Sequence, residues 1–234
     1  MRNYKTYGRY GRRRFNLDKT FVAFIIIVAL ILGKSVINLI CTKTGISTNY
    51  TAEETLAILE NASKIEVCKN YRTIFYNDYN IIVDGECVAV VTGEFFKLFG
   101  DTFTMYSSNG ERIMYEEEEV FHLNRQAQFY SASGDRAGRL ESKYFTILDK
   151  DTFYTQQGTA IARCDKQFAI PAKYIIQANG NTLYTIKKNF FFYNYTIYVE
   201  DNTVLNVKDA VMISCIEAAV ASSSNSSSSS SSDD

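Results

Sequence analysis

The segment that decides the fold is residues 207–222, VKDAVMISCIEAAVAS. From Ala210 to Val220 its side chains are apolar almost all the way round, and only Ser214 and Glu217 interrupt the run. A helix of this composition has to be buried on nearly every side. It is too short to cross a bilayer, which needs about 20 apolar residues. The segment therefore predicts a core helix that the rest of the chain surrounds.

The chain before this helix repeats one pattern from about Tyr71 onward. A glycine, or in the last copy an asparagine, recurs beside an Asp, Asn, Ser or Gln. The six positions are Asp84-Gly85, Asn109-Gly110, Ser133-Gly134, Gln157-Gly158, Asn179-Gly180 and Asp201-Asn202. Gly and Asn accept the positive φ that primed hairpin turns require. With apolar alternation on both sides, the pattern predicts six hairpins, or about twelve antiparallel strands.

A second motif ends the returning strand of five hairpins: Lys or Glu, any residue, Phe, any residue and an apolar residue. The copies are EFFKL, EVFHL, KYFTI, KQFAI and KNFFF, with central residues Phe96, Phe121, Phe145, Phe168 and Phe190. Because these phenylalanines occupy equivalent places, we expect them on one face of the sheet. If that face is internal, they contact one side of the terminal helix, at Met212, Ile213, Ile216 and Val220.

Closure of the sheet follows from the number of strands. An open sheet exposes edges that aggregate, and closure into a barrel removes them. A barrel of about eight strands is filled by its own side chains, whereas one of twelve leaves a central space for the helix. The sequence therefore predicts a mainly β fold: residues 71–222 form a barrel of about twelve antiparallel strands in six hairpin repeats around a C-terminal hydrophobic helix.

Together, the six hairpins with D/N-G turns, the K-x-F-x-I-like signature and the terminal DAVMISCIEAAVA helix resemble the LURP-one-related proteins. That family is similar in fold to the Tubby C-terminal domain and the phospholipid scramblases, and the resemblance implies a twelve-stranded barrel around a C-terminal helix. It covers about residues 71–222. The chain departs from the family pattern in its shortened sixth unit, its N-terminal region and its serine tail.

The N-terminal region has the pattern of a membrane signal. Residues 1–19 form a basic head with Asp18 as the single acidic residue, and an apolar stretch from Thr20 to Cys41 follows. This pattern is typical of a signal peptide or of an uncleaved signal-anchor helix, and the lack of a small-x-small cleavage site favours the transmembrane anchor. The basic head predicts a single-pass protein of the cell membrane, with its N-terminus cytoplasmic and the barrel extracytoplasmic.

Two further segments flank the predicted barrel. Residues 42–70 are expected to be a linker with one short helix, whose capping box is Thr51 and Glu54. Residues 223–234 are nearly all serine and are expected to be a disordered tail.

Composition and motifs argue against several functional classes. The net charge of −1 gives no support to a nucleic-acid partner. With one histidine, His122, and no Gly-rich phosphate loop, the chain lacks the groups of an enzyme, a cofactor site or a metal site. The five cysteines have no short spacings, and pairing of Cys87 with Cys164 is an alternative if the barrel is extracellular. The carboxylates of residues 116–119 alternate between faces and are expected to form a solvated rim.

Basic residues recur on the second strands of the third to fifth hairpins. They form a candidate anionic-lipid patch that comprises Arg136, Arg139, Lys143, Arg163, Lys166, Lys187 and Lys188. Acidic residues are interspersed, so cross-strand ion pairing is the alternative. Two functions stay open: a membrane-anchored, non-enzymatic binding or structural module, for which a protein partner is one alternative, and a lipid-handling module that binds phosphoinositides or acts like a scramblase.

Overall fold

The computed structural model describes residues 45–71, 77–94, 102–119, 125–142, 150–167, 169–189 and 194–227. Within these ranges the chain forms two helices, α1 (Ala52–Asn61) and α2 (Val207–Ser227), and thirteen strands. The strands are β1 (Ile46–Ser47), β2 (Lys64–Lys69), β3 (Tyr79–Val83), β4 (Glu86–Glu94), β5 (Thr102–Ser107), β6 (Arg112–Glu119), β7 (Arg125–Ser131), β8 (Arg136–Ser142), β9 (Lys150–Thr155), β10 (Ala160–Gln167), β11 (Lys173–Ala178), β12 (Asn181–Lys188) and β13 (Tyr195–Val199).

Twelve of the strands close into an antiparallel barrel. From β2 to β13 each strand pairs with the next in the chain, and β13 pairs with β2 to complete the ring. The short strand β1 adds outside the ring, in parallel with the start of β4. The predicted mainly β fold with twelve antiparallel barrel strands and a C-terminal helix is confirmed.

Five of the predicted hairpins are present, and their turns define one end of the barrel, the turn end. The opposite end, where β4, β6, β8, β10 and β12 finish, is called the loop end. At Asp84-Gly85 and Asn179-Gly180 both turn residues have positive φ, as primed turns require. The other three turns use only one glycine with positive φ, such as Gly134 at 95°. In all five hairpins a register shift in the adjoining strands gives a β-bulge.

The predicted sixth hairpin is wrong. Asn202 is not among the residues with positive φ, and Asp201 instead accepts hydrogen bonds from the backbone and side chain of Thr203. The chain then enters α2 at Val207 without a returning strand. The place of that strand is taken by β2, which lies within the segment predicted to be a linker.

Helix α1 closes the turn end of the barrel. Its capping box at Thr51 and Glu54 is formed as predicted. On its inner side Thr55 and Leu59 are completely buried, and the Thr55 hydroxyl donates to the Val88 carbonyl at 3.1 Å. This helix of the predicted linker is therefore a part of the folded body.

Helix α2 fills the centre of the barrel. Met212, Ile213 and Ile216 are at most 1% exposed and belong to the same apolar cluster as the inner barrel wall. Val220, predicted to lie in that core, is 38% exposed, so the prediction is wrong for this residue. The five phenylalanines predicted to contact the helix lie outside the described residues. The inner wall of the described part instead carries Phe103, Phe129 and Phe153.

No helix in the described ranges is both long enough and apolar enough to span a membrane. The predicted anchor from Thr20 to Cys41 lies outside those ranges. At the other terminus, α2 continues to Ser227 and so includes the start of the segment predicted to be a disordered tail. Residues 228–234 are not described.

Candidate functional site

The barrel wall separates the candidate anionic-lipid patch into two sets. Successive residues of a strand point to opposite faces, and residues paired across strands share a face. Lys166 is paired with Tyr174, and Lys188 with Tyr195; both tyrosines are buried, so these lysines lie on the inner face. Their neighbours point outward: the outer set comprises Arg139, Arg163 and Lys187, with Arg136 exposed near the turn end. Lys143 lies outside the described residues.

Two of the outward arginines are next to carboxylates of their own strands. Arg139 Nε lies 2.7 Å from Glu141 Oε1, and Arg163 Nε lies 3.0 Å from Asp165 Oδ1. Neither contact has the geometry of a hydrogen bond, so the attraction is electrostatic. These pairs run along a strand, whereas the sequence suggested pairs between strands. They partly neutralise the positive charge that an anionic headgroup would need.

A belt of tyrosine and arginine crosses the outer face of β6 to β9. We call it the Tyr–Arg belt: Arg112, Tyr115, Tyr130, Arg139 and Tyr154. The Tyr115 and Tyr130 rings stack at 4.8 Å, while Arg112 lies 5.2 Å from the centre of the Tyr115 ring. Arg139 lies 4.7 Å from the centre of the Tyr154 ring.

Register explains how the belt forms. Tyr115 is directly opposite Tyr130, and Arg139 is opposite Tyr154. The Arg112 guanidinium is held by donation from Nη2 to the Ala132 carbonyl at 2.6 Å. Sequence reasoning missed the belt because β-bulges in the hairpins shift the alternation. Its visible signal was an outward tyrosine in three of the four strands β6 to β9.

The four glutamates of residues 116–119 face both sides of the wall. Glu117 is exposed, but Glu116 is paired with the buried Phe129 and is only 1% exposed. The prediction of a solvated rim is therefore wrong for Glu116.

Glu116 belongs to a set of charged groups on the inner face near the loop end, which also includes Lys69, Glu118, Asp151, Lys166 and Lys188. All of these groups have polar or electrostatic interactions within the protein. Charges of both signs with partners of this kind are typical of a self-compensated interior.

No disulfide joins the described cysteines, so the alternative of a bridge between Cys87 and Cys164 is not realised. Cys164 is buried on the inner face, and Cys87 is half-buried on β4. Burial raises the pKa of the Cys87 thiol and of the Cys215 thiol in α2, which keeps both protonated and unreactive. In the described ranges no cluster of His, Cys, Asp or Glu has the arrangement of a metal site.

A buried carboxyl group lies where α2 enters the barrel. Asp209 is 5% exposed, and its Oδ1 has no hydrogen-bond partner among the described residues. Burial raises the pKa of Asp209 to about 6, against the opposing effects of the Lys208 charge and a hydrogen bond with Asn206.

A shallow surface groove of about 380 Å³ lies beside α1 near the turn end. Its lining is mixed and comprises Ala57, Ile58, Asn61, Ala62, Val83 and Asp84. A groove this open encloses little of a small molecule, since ligand sites bury most of their ligand's surface.

No protein family model, curated protein or solved structure matches the chain. The resemblance to the LURP-one-related family therefore stays a prediction, which rests on the hairpins and the terminal helix.

Proposed function

We propose that this protein is a non-enzymatic binding or structural module, held at the cell membrane by the segment from Thr20 to Cys41. The observation that carries the proposal is the occupied interior of the barrel. Helix α2 fills the space where barrels of this width otherwise hold ligands, and its Met212 and Ile213 are fully packed. A partner therefore meets the outer surface.

The Tyr–Arg belt is the part of that surface best suited to a protein partner. Tyrosine and arginine are enriched in protein interfaces and dominate their binding energy. The stacked Tyr115 and Tyr130 rings present a pre-ordered surface, so little side-chain entropy is lost on binding. The arginines around them add directional hydrogen-bond donors.

The belt is tested by crosslinking the full chain to its neighbours in intact cells. The belt variant combines Tyr130→Ser with Arg112→Ser, and the matched control combines Tyr198→Ser with Lys187→Ser on the opposite outer face. We expect the belt variant alone to lose crosslinked partners. Equal loss or equal retention in both variants would place the binding surface elsewhere.

The lipid-handling alternative rests on Arg136 and Lys187, which point outward, the former exposed and the latter against the Tyr198 ring at 4.8 Å. Flotation of a fragment from Cys41 to Asp234 with neutral and with phosphatidylserine-containing liposomes separates the two functions. The binding module is expected to ignore the lipid charge. Flotation that needs anionic lipid, and is lost in Arg136→Gln with Lys187→Gln, would favour the alternative.

The proposed topology puts the barrel on the extracytoplasmic side of the membrane. With an epitope after Asp234, protease added to intact cells should remove the epitope while a cytoplasmic marker stays intact. Protection of the epitope until the cells are lysed would place the barrel inside.

A further inference from the structure

The junction between α2 and the turn end combines features that a purely structural core would avoid. Asp209 is the third residue of α2, and nineteen-twentieths of its surface is removed from water. The nearby Tyr184 hydroxyl does not donate to this carboxyl group but to the Leu205 carbonyl, at 2.5 Å. One carboxyl oxygen, Oδ1, is thus left without a hydrogen-bond partner among the described residues.

The charged and titratable groups around Asp209 offer little compensation. On α2 itself, Lys208 is half-buried and its charge favours the ionised carboxyl group. The barrel wall contributes Tyr184, and the segment after β13 contributes Asp201, a second acid. Helix α1, which packs on α2, carries the exposed acids Glu53, Glu54 and Glu60. Lys208 is therefore the one charge in the described ranges that favours the ionised carboxyl group; a hydrogen bond with Asn206 assists it, but together they do not offset the cost of burial.

The position of Asp209 links its ionisation to the closure of the barrel. It lies in the first turn of the core helix, at the turn end of the barrel, which α1 covers with Leu59. A carboxylate that is buried without sufficient partners destabilises the state that buries it, and exposure to water relieves the cost. At this position, exposure requires the first turn of α2 or the covering helix α1 to move.

We propose that Asp209 is a pH-sensitive latch: its protonated form holds α1 and the first turn of α2 closed over the turn end, and its ionised form loosens them. The sign follows from linkage. Because the pKa of the folded state lies above the ordinary value of 3.8, at about 6, the closed state binds a proton more tightly than the open state does. The added stability is complete below about pH 4 and is lost as the pH rises through 6.

Hydrogen exchange of the full chain measures the latch directly. We expect amides of α1 around Thr55 and Leu59, and those of Val211 to Ile213, to lose protection between pH 5 and pH 7.5 after correction for intrinsic exchange. The full difference between the two pKa values corresponds to a roughly 100-fold change in the opening equilibrium, of which about tenfold falls between pH 5 and pH 7.5. Amides of the β7–β8 hairpin should not follow this trend.

Two variants make the measurement specific. In the Asp209→Asn variant, the hydrogen-exchange protection of the α1 amides should not depend on pH. Asp201→Asn is the matched control, since Asp201 is only half-buried and hydrogen bonds from Thr203 lower its pKa, so it should keep the wild-type pH dependence. A wild-type profile that is flat, or one that Asp209→Asn leaves unchanged, would overturn the proposal.

A second measurement covers the case in which Asp209→Asn does not fold. Carbon-13 labelling of the aspartate carboxyl groups in the wild-type chain reports the Asp209 titration by NMR. A midpoint near 6, with coupled shifts of the α1 amides, supports the latch. A midpoint near or below 4, or a titration to which the α1 amides do not respond, overturns it.

Discussion

The strands of the five regular hairpins and the two strands that close the barrel are brought into register in different ways. In the β11–β12 hairpin, Gln177 pairs with Thr182, only five positions further along the chain. In the closing pair, Tyr195 on β13 is opposite Val67 on β2, 128 positions earlier. A local turn therefore determines the first kind of pairing, whereas the second depends on two distant segments meeting.

This difference shows where the barrel obtains its closure. The hairpins can form early, because closing a short loop costs little chain entropy. The closing pair has no turn to define its register and depends on packing instead, for Ile197 and Ile65 are opposite each other and both completely buried. Helix α2 lies against both β2 and β13 and adds to that packing. The N-terminal part of the chain is thus needed to complete the repeat region.

The largest effect is expected when one strand of the closing pair, β2, is removed. A chain that begins at Tyr71 lacks β2 and α1, and we expect it not to fold, because β3 and β13 are left with open edges. A chain that begins at Gly45 keeps both elements and should melt cooperatively. Circular dichroism and thermal melts of the two chains decide the matter. A cooperative melt of the shorter chain would show that β2 is dispensable.

The core helix offers a second test of nearly equal size. Ile213→Asp places a carboxylate where the described surroundings are apolar, and a chain that ends at Asp209 removes the core altogether. Each change should prevent folding, since the stability of a domain is only about 5–15 kcal/mol. A chain that ends at Ala221 should melt close to the parent. If the chain that ends at Asp209 melts like the parent, α2 is not the core.

A single truncation on the closing pair sharpens the comparison quantitatively. Ile65→Ala should lower the free energy of unfolding by about 2–5 kcal/mol, because this side chain is completely buried against Ile197. Ile175→Ala on β11 is the matched control, since that residue is half-buried on the outer face, and we expect about 1 kcal/mol or less. Urea unfolding at constant pH measures both. Similar losses in the free energy of unfolding for the two variants would mean that the closing pair contributes no more to stability than the outer face of a hairpin.

Much of the fold could be predicted because its signals are local. The core helix shows as an apolar run from Ala210 to Val220 that only Ser214 and Glu217 interrupt, and five turns show as a polar residue followed by glycine. The closing strand could not be found in this way: β2 is only six residues long, and its partner β13 is remote in the chain. The Asp201-Asn202 pair imitated a sixth turn because its composition matches the others, although its backbone does not.

The candidate site was less predictable, because side-chain direction depends on register. Arg163 and Lys166 are three positions apart on β10 and so point to opposite faces, a separation that alternation alone could have indicated. Other positions needed the structure, since a bulge opposite Tyr130 shifts the pairing of β7 with β8. The same register brings Tyr115 beside Tyr130, which no local pattern reveals.

The smallest expected effects come from substitutions at the Asn179-Gly180 turn, which forms a hairpin, and at Asp201-Asn202, which does not. Gly180 has φ 84°, and a β-carbon at this position would meet no other atom within 4 Å, so a substitution there acts through the backbone alone. Gly180→Ala should cost about 1–2 kcal/mol, because alanine disfavours this conformation. Gly180→Asn should recover part of that loss, since asparagine tolerates positive φ better.

The matching change at Asn202 introduces a glycine instead of removing one, and it should also destabilise the fold. Asn202 lacks a positive φ, and its side-chain amide donates to the Glu60 carbonyl at 2.8 Å, which joins the chain after β13 to the end of α1. Asn202→Gly therefore loses a hydrogen bond and adds flexibility to the unfolded chain, so it should destabilise by about 0.5–1.5 kcal/mol. A primed turn at this position would instead be unchanged or stabilised by glycine. Urea midpoints of Gly180→Ala, Gly180→Asn and Asn202→Gly measure these differences. A gain in stability for Asn202→Gly would instead support the prediction of a hairpin turn at Asn202.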